Sequence, residues 1–142
     1  MIDKTGSARW TGGLRDGQGQ VSTESGVLTN QRYGFASRFE GQGGTNPEEL
    51  VAASHASCFS MALSMVLGQS DLTAESIETT AKVSLEQQGE GFAVTRSHLT
   101  VKARVPGATA EQFREAAEGA KENCPISKLL TAEITMDASL EE

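Results

Sequence analysis

The sequence has few cysteines, few aromatic residues and a shortage of positive charge. It contains 2 Cys among 142 residues, and Phe, Trp and Tyr together account for 5% of the chain. Lys and Arg number 12 against 19 Asp and Glu, which gives a net charge of −7. Nucleic acids and anionic membrane surfaces attract basic proteins, so this balance argues against both as partners.

The N-terminal sequence also has no apolar segment. Residues 1–10, MIDKTGSARW, lack the hydrophobic stretch that marks a signal peptide. Cysteines in a cytoplasmic protein are more often catalytic, metal-binding or inert than bridged. We therefore expect a cytoplasmic chain that forms one domain, residues 1–142, with enough length to bury a core.

A long stretch without charge stands near the middle of the chain. Residues 50–70 contain no Asp, Glu, Lys or Arg. The flanking residues predict a helix over residues 47–68, because Asn46 suits the N-cap and Pro47 suits the first helical position. Glu48 falls in the first turn, where the helix dipole favours negative charge. Apolar residues occur on every side and serines are interspersed, so we predict a core helix rather than a membrane span.

Weaker patterns predict the segment before this helix. Short alternations with intervening glycines predict strands at residues 7–11, 20–25 and 33–39. This N-terminal part, residues 1–44, is too polar to fold by itself. We expect it to lie on another surface.

Clearer patterns follow the helix. Regular alternation predicts an antiparallel hairpin over residues 76–105. Thr109 and Gln112 have the spacing of a capping box, which predicts a second helix and a following turn over residues 109–130. A last strand is predicted at residues 132–140.

The two cysteines are the main candidates for chemistry. Cys58 lies in the middle of the central helix, where burial raises the pKa of a thiol, so its reactivity needs a cation from elsewhere. The alternative is an inert buried thiol. Cys124 precedes Pro125 at a junction between helices, where backbone N–H groups favour a thiolate. If the two sulfurs meet, one can become a sulfenic acid that the other resolves as a disulfide. If they do not meet, they are two unrelated buried thiols.

Arg32 and Arg38 are the basic residues nearest the central helix in sequence. Arg38 ends a predicted strand, and from there its guanidinium can fold back onto the thiolate. A carboxylate such as Glu48 can hold it in place. The alternative is an arginine that points into solvent.

Histidine offers a further possibility. His55 lies one helical turn before Cys58, so it is a candidate base or a partner of the thiol in a metal site. His98 falls in a strand pattern and is interpreted as structural. The tight spacings typical of zinc ligands are missing from the sequence, which makes a metal site a weak interpretation.

Taken together, these segments resemble the OsmC/Ohr family of thiol peroxidases. The resemblance rests on TNPEELVAASHASCFSMALS in the central helix and on NCPISKLL around the second cysteine. The upstream segments STESGVL and YGFASRFEG are similar to the OsmC branch of the family rather than the Ohr branch. The resemblance covers essentially the whole chain.

The resemblance implies an α+β fold. Two chains would form an intertwined homodimer, with curved antiparallel sheets around two long central helices. The implied activity is reduction of organic hydroperoxides, and of hydrogen peroxide, to alcohols or water. Cys58 matches the peroxidatic cysteine and Cys124 the resolving one. Arg38 matches the arginine that activates the thiolate, and Glu48 matches the glutamate that holds this arginine. No cofactor and no metal are implied, and an external thiol or lipoyl-type dithiol would reduce the disulfide.

The surroundings of the first cysteine suggest the kind of substrate. Phe59, Met61 and Met65 are apolar residues expected around it, and they would suit an organic hydroperoxide. Two other functions would use the same thiols. One is a zinc- or ligand-binding module, and the other is a redox-sensing interaction protein in which the disulfide changes a partner surface.

Overall fold

The computed structural model describes residues 1–142, in two units that comprise residues 1–50 and 51–142. Each unit combines strands with helix, and the secondary structure as a whole is four helices and two three-stranded sheets. The α+β class expected from the resemblance is therefore confirmed. The expectation of one domain over the whole chain stays a prediction.

Unit 1 is built on a small antiparallel sheet. Its strands are β1 (Gly6–Thr11), β2 (Gln18–Thr23) and β3 (Gln31–Tyr33), in that spatial order. None of the buried apolar side chains of the core lies in this unit. The expectation that residues 1–44 are too polar to fold by themselves stays a prediction.

The prediction of a strand at residues 33–39 is wrong. β3 ends at Tyr33, and a short helix, α1 (Phe35–Phe39), follows it. The Ser37 hydroxyl accepts a hydrogen bond from the Gly34 N–H at 2.9 Å and donates to the Gly34 carbonyl at 3.1 Å. Local side-chain bonds of this kind compete with strand pairing and favour a helical turn. Arg38 is consequently a helix residue rather than a strand end.

The central helix, α2 (Pro47–Gly68), has the predicted bounds. Asn46 caps it, because its Oδ1 accepts the Glu49 N–H at 2.8 Å. Its four buried residues recur at every fourth position: His55, Phe59, Leu63 and Leu67. This stripe faces the core, as predicted. By length and composition alone the helix is also long and apolar enough to cross a membrane.

Unit 2 contains the second sheet. Its strands are β4 (Ser76–Gln88), β5 (Gly91–Arg104) and β6 (Glu133–Glu141). β4 and β5 form the predicted antiparallel hairpin, whereas β6 pairs with β5 in parallel. The sheet is therefore mixed, which differs from the antiparallel sheets that the resemblance implied.

Two helices connect β5 to β6. They are α3 (Ala110–Asn123), which begins at the predicted capping box of Thr109, and α4 (Pro125–Leu129). A connection between parallel strands needs a crossover of this length. The core lies between the buried stripe of α2, the inward side chains of β5 and the buried face of α3. The members contributed by β5 and α3 are Leu99, Val101, Ala103, Phe113, Ala116, Ala117 and Ala120.

Candidate active site

The first feature of the site is the pair of thiols in unit 2. Both cysteines are free; Cys58 is partly exposed and Cys124 is buried. Burial raises the pKa of the Cys58 thiol, and the hydrogen bond from the Ile126 N–H lowers it. The Cys124 thiol also raises the pKa of Cys58, through a side-chain hydrogen bond and through repulsion between the charged forms. Side chains 66 positions apart in sequence therefore interact, and their pairing as a disulfide stays a prediction.

Cys124 is held by the first turn of α4. It is the N-cap of this helix, and its Sγ accepts the Ser127 N–H at 3.4 Å. The Ser127 hydroxyl lies 3.2 Å from the same sulfur. Pro125 begins the helix at a position where a missing N–H is no loss. The backbone of α4 therefore supplies one N–H to each thiol, from Ile126 to Cys58 and from Ser127 to Cys124.

The second feature is an arginine–glutamate pair in unit 1. Arg38 Nε donates to Glu48 Oε1 at 2.7 Å, and Arg38 Nη2 donates to Glu48 Oε2 at 3.1 Å. Two parallel bonds fix both the position and the plane of the guanidinium. Asn46 links the two helices that carry this pair, because its Nδ2 donates to the Ser37 carbonyl of α1 at 3.1 Å while it caps α2.

The pairing itself was expected from the sequence, but the role of Arg38 towards the thiol is a separate question. Glu49, the neighbouring carboxylate, bonds to the Thr45 hydroxyl at 2.8 Å instead of the arginine. Arg38 and Glu48 belong to unit 1, and the two thiols belong to unit 2. Activation of Cys58 by Arg38 therefore stays a prediction.

Aromatic side chains gather around the arginine. The ring centroids of Phe35 and Phe39 are 5.0 Å apart, and the Arg38 guanidinium carbon lies 5.4 Å from the Phe39 centroid. A cavity of about 210 Å³ opens here; its walls include Trp10, Leu14, Tyr33, Phe35, Arg38 and Phe39. This cavity was not predictable from the sequence, because its walls come from separate elements. The only local signal was the pair of phenylalanines on either side of the arginine, in FASRF.

The apolar residues that were expected around Cys58 lie in different environments. Phe59 is fully buried in the core, so it is not open to a substrate. Met61 and Met65 are exposed, at 77% and 63% of their full accessibility. Phe59 therefore serves packing, which corrects that part of the prediction.

His55, the candidate base, lies in the core. It is fully buried, and its two ring nitrogens contact Ser97 Oγ at 2.7 Å and Ser127 Oγ at 2.8 Å. Both nitrogens are thus occupied by hydroxyl groups. No group of three or more His, Cys, Asp or Glu side chains is arranged to hold a metal ion. His98, interpreted as structural, bonds across the sheet to Thr135 and Asp137.

Comparison with known proteins identifies the family of this chain. The family model described as OsmC-like protein matches residues 39–139. The chain belongs to the OsmC family. Peroxiredoxin OsmC of Escherichia coli (strain K12) is 53% identical to it over 139 residues, which is 98% of this chain and 97% of the relative.

Similarity to solved structures supports the assignment of the fold. The crystal structure of the organic hydroperoxide resistance protein OhrB of Bacillus subtilis matches with a TM-score of 0.68 at 28% identity, covering 96% of this chain and 98% of that one. An OsmC-like protein of unknown function from Vibrio cholerae matches with a TM-score of 0.78 at 18% identity, over 98% of this chain and 100% of the other. The second match concerns the fold alone.

Proposed function

We propose that this chain is a peroxidase that reduces organic hydroperoxides with Cys58 and Cys124. The adjacency of the two thiols is the observation that carries the proposal. A peroxidase role is supported by membership of the OsmC family and by 53% identity to a relative named Peroxiredoxin OsmC. The organic substrate is supported by the relatives named for organic hydroperoxide resistance and by the aromatic cavity beside Arg38.

The first step is attack of the Cys58 thiolate on a peroxide oxygen. An S–O bond forms and the O–O bond breaks, so the sulfur is oxidised to a sulfenic acid and the substrate leaves as an alkoxide that takes a proton. Burial raises the pKa of Cys58, so the thiolate needs a positive group to form at neutral pH. Arg38 supplies this charge and stabilises the negative charge on the leaving oxygen. Glu48 holds the guanidinium by its two bonds.

The second step is resolution by Cys124. Its sulfur attacks the sulfenic sulfur of Cys58, a disulfide forms, and water leaves. An external thiol or dithiol then returns the pair to the reduced state by thiol–disulfide exchange, so no bound cofactor takes part. We place this cycle in the cytoplasm, where thiol reductants are kept reduced, and in a homodimer, as the resemblance implies.

The cysteine pair is tested by consumption of cumene hydroperoxide with a dithiol as reductant. Cys58→Ser should abolish turnover, because the remaining thiol, Cys124, is buried. Cys124→Ser should complete the first oxidation and then stall, so that a sulfenic acid accumulates and reacts with dimedone. The same measurements with hydrogen peroxide compare the two substrate classes.

The Cys58→Ser result decides between the functions. Peroxide consumption at the wild-type rate in this variant would disprove the proposed chemistry. A single slow oxidation in the wild type, with no turnover under excess dithiol, would favour a redox sensor instead.

A further inference from the structure

A chain of four side chains leads from the core to the second cysteine. His55 of α2 has Ser97 of β5 at its Nδ1 and Ser127 of α4 at its Nε2. The same Ser127 hydroxyl lies 3.2 Å from Cys124 Sγ. Ser97, His55, Ser127 and Cys124 are therefore linked without a break. All four are buried, with Ser97 and His55 at 0% exposure.

The hydrogen bonds that link these four side chains can all be donated in one direction or all in the other. A neutral imidazole has one N–H donor and one lone pair. In one arrangement the Cys124 thiol donates to Ser127, Ser127 donates to Nε2, and Nδ1–H donates to Ser97. In the other every donor is reversed, and the Ser127 hydroxyl donates to the sulfur. The first arrangement suits Cys124 as a thiol that donates its proton, and the second suits it as a thiolate that accepts one.

The ring of His55 is available as a base. Burial lowers its pKa, so the imidazole is neutral at physiological pH. No carboxylate or cation bonds to it: β5 presents Ser97, and α4 presents Ser127, whose hydroxyl in turn contacts the Cys124 thiol. A buried imidazole with two hydroxyl partners is well satisfied as a structural group. A structural role alone does not account for the end point of this series of hydrogen bonds. It ends at the sulfur of Cys124, which has to lose a proton in the resolving step.

We propose that His55 is a positioning residue in the resolving step. Its ring accepts the proton of Cys124 through the Ser127 hydroxyl. This inference rests on the peroxidase function proposed above. Cys124 passes its proton to Ser127 while Ser127 passes its own to Nε2, which leaves a thiolate and an imidazolium joined by one hydroxyl. Ser127 also fixes the sulfur, since both its N–H and its Oγ contact it.

Attack by the Cys124 thiolate completes the resolving step. The thiolate attacks the sulfenic sulfur of Cys58, the S–S bond forms, and the S–O bond breaks. The sulfur of Cys124 is oxidised and that of Cys58 is reduced. The departing hydroxide takes the proton, so water leaves and His55 returns to its neutral state. General base assistance of this kind contributes roughly a hundredfold or more to a rate.

The inference is tested by following Cys124 as a nucleophile in two single-turnover reactions. In the first, one equivalent of cumene hydroperoxide oxidises Cys58, and the lifetime of the sulfenic acid is measured by dimedone trapping. In the second, an aromatic disulfide reagent places thionitrobenzoate on Cys58, and its release by Cys124 is followed by absorbance. The second reaction needs no peroxidase activity. If the wild type forms no sulfenic acid, the proposed function fails while the relay is still tested.

His55→Gln and Ser127→Ala should slow both reactions by at least about tenfold near pH 6.5. The deficit should shrink towards about pH 9, because hydroxide in solvent then replaces the missing base. The first oxidation of Cys58 should stay within about twofold of the wild type, since the relay acts on the other sulfur. His98→Gln and Ser139→Ala are matched controls that should leave both rates unchanged.

Two results would overturn the inference. Wild-type rates of resolution in Ser127→Ala would show that the hydroxyl carries no proton. A deficit of the same size at every pH would assign His55 and Ser127 to packing only. Ser127→Ala removes a single oxygen atom, so it decides the matter if His55→Gln does not fold.

Discussion

At the scale of the residue, His55 makes the stability of the protein depend on pH. The ring lies in the core, where burial lowers its pKa. In the unfolded chain the ring is solvated and has its ordinary pKa of 6.5. At pH values between the lowered pKa of the folded state and the ordinary pKa of the unfolded state, only the unfolded chain binds a proton at this ring. Acidification therefore favours unfolding. The stabilising effect of the neutral ring is present above pH 6.5 and is lost as the pH falls towards the folded value.

The consequence is measurable by urea unfolding at about pH 7.5 and pH 5.5. We expect the free energy of unfolding of the wild type to fall, with this one group contributing up to about 1.4 kcal/mol for each pH unit. His55→Gln has no ring to titrate, so its stability should depend less on pH over the same interval. Ser57→Ala, on the exposed face of the same helix, should keep the wild-type dependence. Identical slopes for wild type and His55→Gln would contradict the argument.

At the scale of the element, α1 and the first turn of α2 together present the arginine of the proposed site. Glu48 holds Arg38, and Asn46 ties the two helices to each other. An ion pair that is partly exposed, as this one is, stabilises a fold by no more than about 1 kcal/mol. The ion pair therefore serves mainly to hold the guanidinium in position and contributes little to the stability of the fold.

Substitution of either partner should therefore reduce activity more than it reduces stability. Arg38→Gln should lower kcat/KM for cumene hydroperoxide by roughly a hundredfold, because the leaving oxygen loses its positive partner. Glu48→Gln should have a smaller effect in the same direction. Arg32→Gln and Glu49→Gln are matched controls, since neither residue takes part in the pair, and they should stay near the wild-type rate. Full activity of Arg38→Gln would remove this residue from the proposed site.

The elements that were predicted correctly are those whose signals are local. Asn46 and Pro47 start α2, and the capping box of Thr109 starts α3; both are readable from a few consecutive residues. The direction of β6 was not readable, because an alternating pattern is the same in parallel and antiparallel strands. α1 was missed because its capping hydroxyl, Ser37, lies within what resembles a strand.

The candidate site divides in the same way. The cysteines and the Arg38–Glu48 pair were found through residue type and a family resemblance. The partners of His55 were not found, since Ser97 and Ser127 lie 42 and 72 residues away from it. No spacing rule links such positions, and a serine has no sequence signal of its own. Only the packing of α2, β5 and α4 brings them to the ring.

At the scale of the whole molecule, helix α2, which carries no charge after its first turn, has more apolar surface than one face can bury. Its core stripe takes four residues, yet the opposite side also has no charged residue between positions 50 and 70. Met61 and Met65 are exposed there at 77% and 63%. Large apolar groups clustered on a surface typically mark a site of association. This favours the homodimer implied by the family resemblance, with α2 contributing to the interface.

Sedimentation equilibrium tests this expectation directly. The wild type should sediment as a species of twice the 15.0 kDa chain mass. Met61→Glu places a charge in the middle of the exposed apolar face, where desolvating it in an interface costs several kcal/mol, about enough to dissociate a dimer. The variant should shift to the mass of one chain, whereas Gln87→Glu, which adds the same charge at the hairpin tip, should not. A wild type that sediments at the mass of one chain, or a Met61→Glu variant that stays dimeric, would show that this face of α2 is not an interface.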